Sequence, residues 1–344
     1  MKKHLLILLL VCVVCALLPG CYFNFNFNKV GTWRNKTIDE DVRNEIDVLD
    51  KKLFKGIMTQ DVKAVKKLMA EGLIKKKGKT VDSVVTEFGA LFKAKDYRLL
   101  DEFYCKSATE NTNHVLQSDK ENNNDYKIEF LALNKETYVS VMVSTNLPVN
   151  CLILAIYGKY ETGWKLNILR IGEYSVMDQT APEYYDLAVN QFTKGNIVDA
   201  VDMIVMAARL AYPAGDYLIY KNDYEMKDTY SVILKDAGAK YKLPYIINEV
   251  KTKPAIFAIG PLFISDPANR GIFPLVRYQS SIPISDTIAL KAENQNVQKA
   301  IGGIFKGIDK NKYGIIYDAY NSIPDSLTPG KYFTILQKLK YGKE

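Results

Sequence analysis

The arrangement of apolar residues changes once along the first half of the chain, and that change constrains the fold more than any other feature. Val42, Ile46, Leu49, Leu53 and Ile57 recur at helical spacing, and Val62, Val65, Leu68 and Leu73 continue it after a break near Thr59. A further stripe runs through Val81, Val84, Val85, Phe88, Leu91 and Phe92, and Leu99, Leu100 and Phe103 extend it. The spacing predicts three or four helices before any strand. Segments 126–133, 137–144, 151–157 and 164–171 then carry strand character, separated by Asn134-Lys135, Asn146-Leu147-Pro148 and Glu161-Thr162-Gly163. Residues of these types suit hairpin turns. Helices followed by a meander predict an α+β domain with the helices on one sheet face. The polar stretch 107–125 reads as a loop.

Beyond residue 180 the helical period returns, and from Pro244 it gives way to a small α+β unit. Segments 255–264 and 271–280 read as paired strands interrupted by Asp266-Pro267-Ala268-Asn269-Arg270-Gly271, a run with strong turn chemistry. Another helix is expected around 227–235. Val297, Ile301, Ile304, Phe305 and Ile308 form a helix stripe, 313–320 a strand, and 333–339 a short final helix. Gly302-Gly303 inside that stripe marks either a close approach to a ligand or partner backbone, or a helix lying tightly across a sheet. With 344 residues, 48% of them hydrophobic, the chain exceeds one compact core and reads as several domains.

The start of the chain reads as an address. Lys2, Lys3 and His4 precede an apolar run over 5–18, which is short for a membrane-spanning helix and ends in Leu18-Pro19-Gly20-Cys21. This pattern resembles the leader of bacterial lipoproteins, with Pro19 an unusual occupant of its place. The resemblance implies cleavage after Gly20, a thioether-linked diacylglycerol on Cys21 and an acylated new terminus. Several acyl chains on one cysteine hold a protein stably on a membrane. Tyr22 stands where an aspartate retains inner-membrane members of that class, so an outer-membrane envelope location is expected. Residues 22–38 alternate Phe23, Phe25 and Phe27 with asparagines, then pass Gly31 and Trp33. They read either as a tether with interfacial aromatics or as an edge strand.

The order of elements over 40–177 resembles the nuclear transport factor 2-like α+β fold, in which a curved sheet encloses a pocket. Residues 181–213 resemble a single tetratricopeptide repeat. Tyr184, Leu187 and Ala188 match its first helix, Gly195 its turn, and Ala200, Ile204 and Ala207 its second helix. Phe192 and Pro213 each fall one place late. The expected organisation is therefore a signal peptide over 1–20, a lipidated tether over 21–38, a nuclear transport factor 2-like domain over 39–178, a tetratricopeptide-like helical segment over 179–240 and a C-terminal α+β domain over 241–344.

Chemistry is sparse. Removal of 1–20 lowers the formal charge from +7 to +5. Lys75-Lys76-Lys77 with Lys79 reads as a solvated helix end or as a contact for anionic headgroups or nucleic acid. An exported chain without interleaved aromatics argues against nucleic acid. After the leader takes Cys12 and Cys15, and lipid takes Cys21, Cys105 and Cys151 remain, either as one disulfide or as two buried thiols. No metal-ligand spacing, nucleophile elbow or phosphate loop appears, so no cofactor is expected. His114, Glu129 and Glu173 are the candidate acids or bases of a pocket. Tyr184, Gly195 and Ala200 mark a candidate partner surface. These features lead to the expectation of a membrane-anchored envelope protein that binds a protein partner or small ligand without catalysis. The alternative is a small-molecule enzyme using a pocket in 39–178.

Overall fold

The computed structural model describes residues 29–310, 312–325 and 330–339; the leader, Cys21, Phe23, Phe25 and Phe27 lie outside them. Helices α1 (Glu40–Met58), α2 (Val62–Leu68) and α3 (Glu71–Phe92) take up the helical stripes. Asp39 starts α1 by accepting from the Asp41 N–H at 3.0 Å, and Asp61 starts α2 by accepting from the Ala64 N–H at 2.9 Å. Ile46, Leu53, Ile57, Val65, Val81 and Val85 bury their side chains in one core with Tyr138, Ile153, Tyr157 and Leu166 of the main sheet.

That sheet contains β1 (Gly31–Arg34), β2 (Tyr97–Lys106), β5 (Glu136–Ser144), β6 (Val149–Tyr160), β7 (Gly163–Val176) and β8 (Gln179–Thr180), antiparallel in the order β1-β2-β5-β6-β7-β8. On its other face, β3 (Thr112–Gln117), β4 (Tyr126–Ala132) and β10 (Leu218–Tyr220) form a second sheet in the order β10-β4-β3. Val139, Val141, Leu152 and Leu154 pack toward this side with Ile128 and Leu218. The main sheet is thus the middle layer of three. Burial on both faces explains why 151–157 is a continuous apolar run rather than an alternating one.

Residues 181–210 form the expected hairpin, α4 (Ala181–Thr193) and α5 (Ile197–Leu210). A capping box starts α4, the Thr180 N–H donating to Glu183 Oε2 at 2.7 Å. Gly195 sits in the turn at φ +75°, where a side chain would be strained. After β9 (Pro213–Asp216) and β10, α6 (Asp223–Lys240) covers the expected helix and packs on α5. The C-terminal unit has β11 (Tyr245–Ile246), β12 (Ala255–Ile264), β13 (Gly271–Gln279), α7 (Thr287–Ile304), β14 (Gly314–Tyr320) and β15 (Tyr332–Lys338), the strands lying in numerical order. The crossover through α7 makes β13 and β14 parallel. Lys312 pairs with Asp199 of α5, and Val198 joins the core of Ile301 and Phe305, so this unit is keyed to the hairpin.

The α+β class holds, and several local expectations change. Leu99, Leu100 and Phe103 belong to β2, not to a helix. A bulge between Leu99 and Asp101 interrupts the period of two and leaves apolar residues at helix-like spacing. The stretch 107–125 contains β3, which buries only Leu116 fully and turns Asn113, Val115 and Gln117 outward, so it carries no apolar alternation. Residues 333–339 form β15 instead of a helix, because an edge strand with apolar side chains on both faces, Phe333 and Ile335 against the core and Leu336 outside, loses its alternation. Gly31 to Arg34 pair with β2 as an edge strand, so a strand precedes the helices.

Candidate functional site

A polar cavity of about 360 Å³ opens at the end of the main sheet where the hairpin begins. Four segments bring its lining together: Arg98 from β2, Asn124 from the β3–β4 connection, Asn146 from the β5–β6 turn with Asn150 at the start of β6, and Asp178, Thr180 and Glu183 from the passage into α4. The turn at Met177 and Asp178 has positive φ at both residues, 52° and 61°. It reverses β7 into β8 and turns Asp178 toward Asn150. Asn150 is buried; its Nδ2 donates to Ser175 Oγ at 3.3 Å and to Asp178 Oδ1 at 3.4 Å, and its Oδ1 accepts from the Leu147 N–H at 3.3 Å. Thr180 Oγ1 donates to Asn124 Oδ1 at 2.6 Å, tying the β3–β4 connection to the cap of α4.

The lining is therefore held by its own hydrogen bonds. Arg98 is exposed and makes no ion pair among the described residues, though its charge lies close to the Tyr174 hydroxyl. Burial raises the Tyr174 phenol above its ordinary value and Arg98 partly opposes that rise. A guanidinium that forms no ion pair can take an anionic group in fork geometry, while Asp178 and Glu183, which line the same cavity, can accept from a ligand's donor groups. Ser144, Ser175 and Thr180 add hydroxyls to the lining.

A second polar cluster is sealed between α1 and the sheet. Asp50 is 1% exposed and its Oδ1 accepts from the Tyr157 hydroxyl at 2.8 Å. Burial pushes its carboxyl up to about 7; Ser140 and Tyr157 act in the opposite direction. The Ser140 hydroxyl lies close enough to favour the carboxylate, yet neither that hydroxyl nor Asp50 Oδ2 makes a hydrogen bond of normal geometry. Around it the Tyr138 hydroxyl donates to Glu102 at 2.6 Å, and Glu45 accepts from the Trp164 indole at 2.8 Å and from Lys159 at 2.7 Å. Asp101, 1% exposed at its side chain, binds Arg34 at 2.5 Å and the Tyr126 hydroxyl at 2.5 Å, stitching β1 and β2 to β4.

The residues singled out from sequence do not converge. His114 stacks on Phe130 at 5.5 Å and reaches Ser107 Oγ at 2.9 Å, and burial lowers its proton affinity. Glu129 pairs with Lys127 at 2.6 Å; in the register it opposes Val115 while His114 opposes Phe130, so Glu129 and His114 face opposite sides of their sheet. Glu173 is gripped twice by Arg209, at 2.5 and 2.6 Å. Cys105 and Cys151 are free buried thiols on opposite faces of the main sheet, in different cores, which no disulfide can bridge. Tyr184 and Ala200 are core residues, 2% and 0% exposed, so the expected partner surface is buried there, and Gly195 serves the turn.

Sequence reading missed Arg98, Asn150, Asp178 and Asp50. For Asp50 a signal existed: it lies four residues after Ile46 on the face that carries Leu53 and Ile57, a charged residue at a core position. Among the described residues no group of three His, Cys, Asp or Glu could hold a metal ion, and no helix is long and apolar enough to cross a membrane. Comparison with protein-family models, curated proteins and solved structures finds no match to this chain.

Proposed function

We propose that the protein is a lipid-anchored protein of the bacterial envelope that binds a small, anion-bearing polar ligand in the cavity beside α4. The observation that carries this reading is the Arg98 guanidinium, without an ion pair among the described residues, facing a cavity whose amides, hydroxyls and carboxylates already hold one another. Such preorganisation favours binding, since little side-chain order remains to be imposed. The anchor half of the reading rests on the Leu18-Pro19-Gly20-Cys21 pattern.

The test is to extract the full-length protein from its source in mild detergent and examine it by native mass spectrometry beside the variant Arg98→Ala. A small molecule released from the wild type and lost from the variant supports the reading. Recovery without any small molecule, but with a protein in equal amount, replaces it with an assembly role. One observation favours a catalytic reading, the neutral-range carboxyl of Asp50 among tyrosines. That reading requires a substrate to reach a side chain that is 1% exposed, and it fails if Asp50→Asn leaves turnover of every candidate substrate unchanged.

A further inference from the structure

The positive charge of this chain is concentrated in one short stretch. Residues 51–79 hold ten lysines, Lys51, Lys52, Lys55, Lys63, Lys66, Lys67, Lys75, Lys76, Lys77 and Lys79, against Asp61 and Glu71, a net +8 where the whole chain is +7. All other residues together therefore carry −1. In the fold this stretch is the end of α1, all of α2 and the start of α3, the outermost layer over the main sheet.

Seven of the ten lysines form no ion pair among the described residues. Lys51 pairs with Asp47 at 2.6 Å, Lys66 with Asp82 at 2.6 Å, and Lys75 only loosely with Glu71 at 3.8 Å. Lys52, Lys55, Lys63, Lys67, Lys76, Lys77 and Lys79 are exposed and make no ion pair among the described residues. Four of them, Lys52, Lys55, Lys63 and Lys67, line an open groove of about 660 Å³ between α1 and α2, with Thr59 and the capping Asp61. Placing so many like charges together opposes folding, and a helix C-terminus accounts for only those in its last turn.

We infer that this lysine face is a docking surface for a bilayer of anionic phospholipid. Charge complementarity selects the partner. The inference rests on the anchored reading for its orientation: ten residues lead from Cys21 to Gly31, a reach of at most about 35 Å, while α1 is about 28 Å long. A body tied that closely can lay its basic layer on the membrane. Each lysine held near an anionic surface strengthens binding about fivefold.

The test uses the mature chain from residue 21, made without lipid, in sedimentation with vesicles of phosphatidylcholine alone and of phosphatidylcholine mixed with phosphatidylglycerol. Binding is expected only to the mixed vesicles, weakening as salt rises. Lys52→Gln, Lys55→Gln, Lys63→Gln and Lys67→Gln combined should weaken it a few hundredfold. The same change at exposed Lys251, Lys253, Lys299 and Lys306 should leave it within about threefold. Thermal unfolding of both variants checks that they are folded. The inference is overturned if the chain ignores the mixed vesicles, if the groove variant binds as well as the control variant, or if inorganic phosphate displaces the chain fully, which would make the groove a site for a small anion. Fractionation of Cys21→Ala in cells tests the anchor separately, so an anchored chain that ignores the vesicles overturns this inference alone.

Discussion

Asp50→Asn should make the protein more stable at pH 8 and leave it almost unchanged at pH 4. Burial raises the Asp50 carboxyl from 3.8 to about 7. Between those values the folded chain holds a proton that the unfolded chain has released, so stability is full below about pH 4 and falls as pH rises to 7. At about 1.4 kcal/mol per pH unit, the loss attributable to this group across the interval is about 4 kcal/mol. Asparagine keeps an acceptor for the Tyr157 hydroxyl and puts an N–H donor where Oδ2 stands, near the unpartnered hydroxyl of Ser140. The gain at pH 8 should be about 2–4 kcal/mol, and the difference at pH 4 should be under about 1 kcal/mol. Trp33 and Trp164 both belong to the core that contains α1, so urea unfolding followed by tryptophan fluorescence reads the right region. Asp202, fully buried and pushed up to about 8, adds a second loss over a similar range, and comparison of variant with wild type cancels it. A difference that is the same at pH 4 and pH 8, or a variant less stable at pH 8, would refute the reasoning.

Cys21→Ala should move the protein from the membrane to the soluble fraction of its cells without unfolding it; continued membrane association sinks the anchor. The two adjacent glycines of α7 should respond unequally to alanine. A side chain on Gly302 would stand 2.4 Å from Asp309, whereas Gly303 faces open space. Gly303→Ala should therefore stabilise by about 1 kcal/mol, and Gly302→Ala should stabilise less than Gly303→Ala because the Asp309 carboxylate must swing aside, measured by urea unfolding. Cys105 and Cys151, both buried and pushed up to about 11 by that burial, should resist a thiol reagent in the folded chain. Both should react in urea whether or not a reductant was present, and a dependence on reductant would contradict their separation.

How much of the molecule could be read from its residues depended on how local each signal was. The helix stripes of α1 to α3, the hairpin over 181–210 and the strands β4 to β7 were legible because their periods and turn residues are set within a few positions. The bulge in β2 defeated the same method: one extra residue near Leu100 shifts every following side chain to the other face and leaves a helix-like pattern in a strand. In β15 the failure had another cause, since an edge strand with apolar residues on both sides carries no alternation to read. The candidate sites divide along the same line. Lys52, Lys55, Lys63 and Lys67 belong to one helix pair, so counting charges along the chain finds them once the helices are recognised. Arg98, Asn124, Asn150, Asp178 and Glu183 meet only because β2, the β3–β4 connection, the start of β6, the β7–β8 turn and the start of α4 all come together at one end of the main sheet. None of these residues is unusual among its neighbours in sequence. Their chemistry arises from convergence, and what makes Arg98 a candidate is that it forms no ion pair among the described residues although Asp178 and Glu183 line the same cavity, a property of its surroundings that no local pattern encodes.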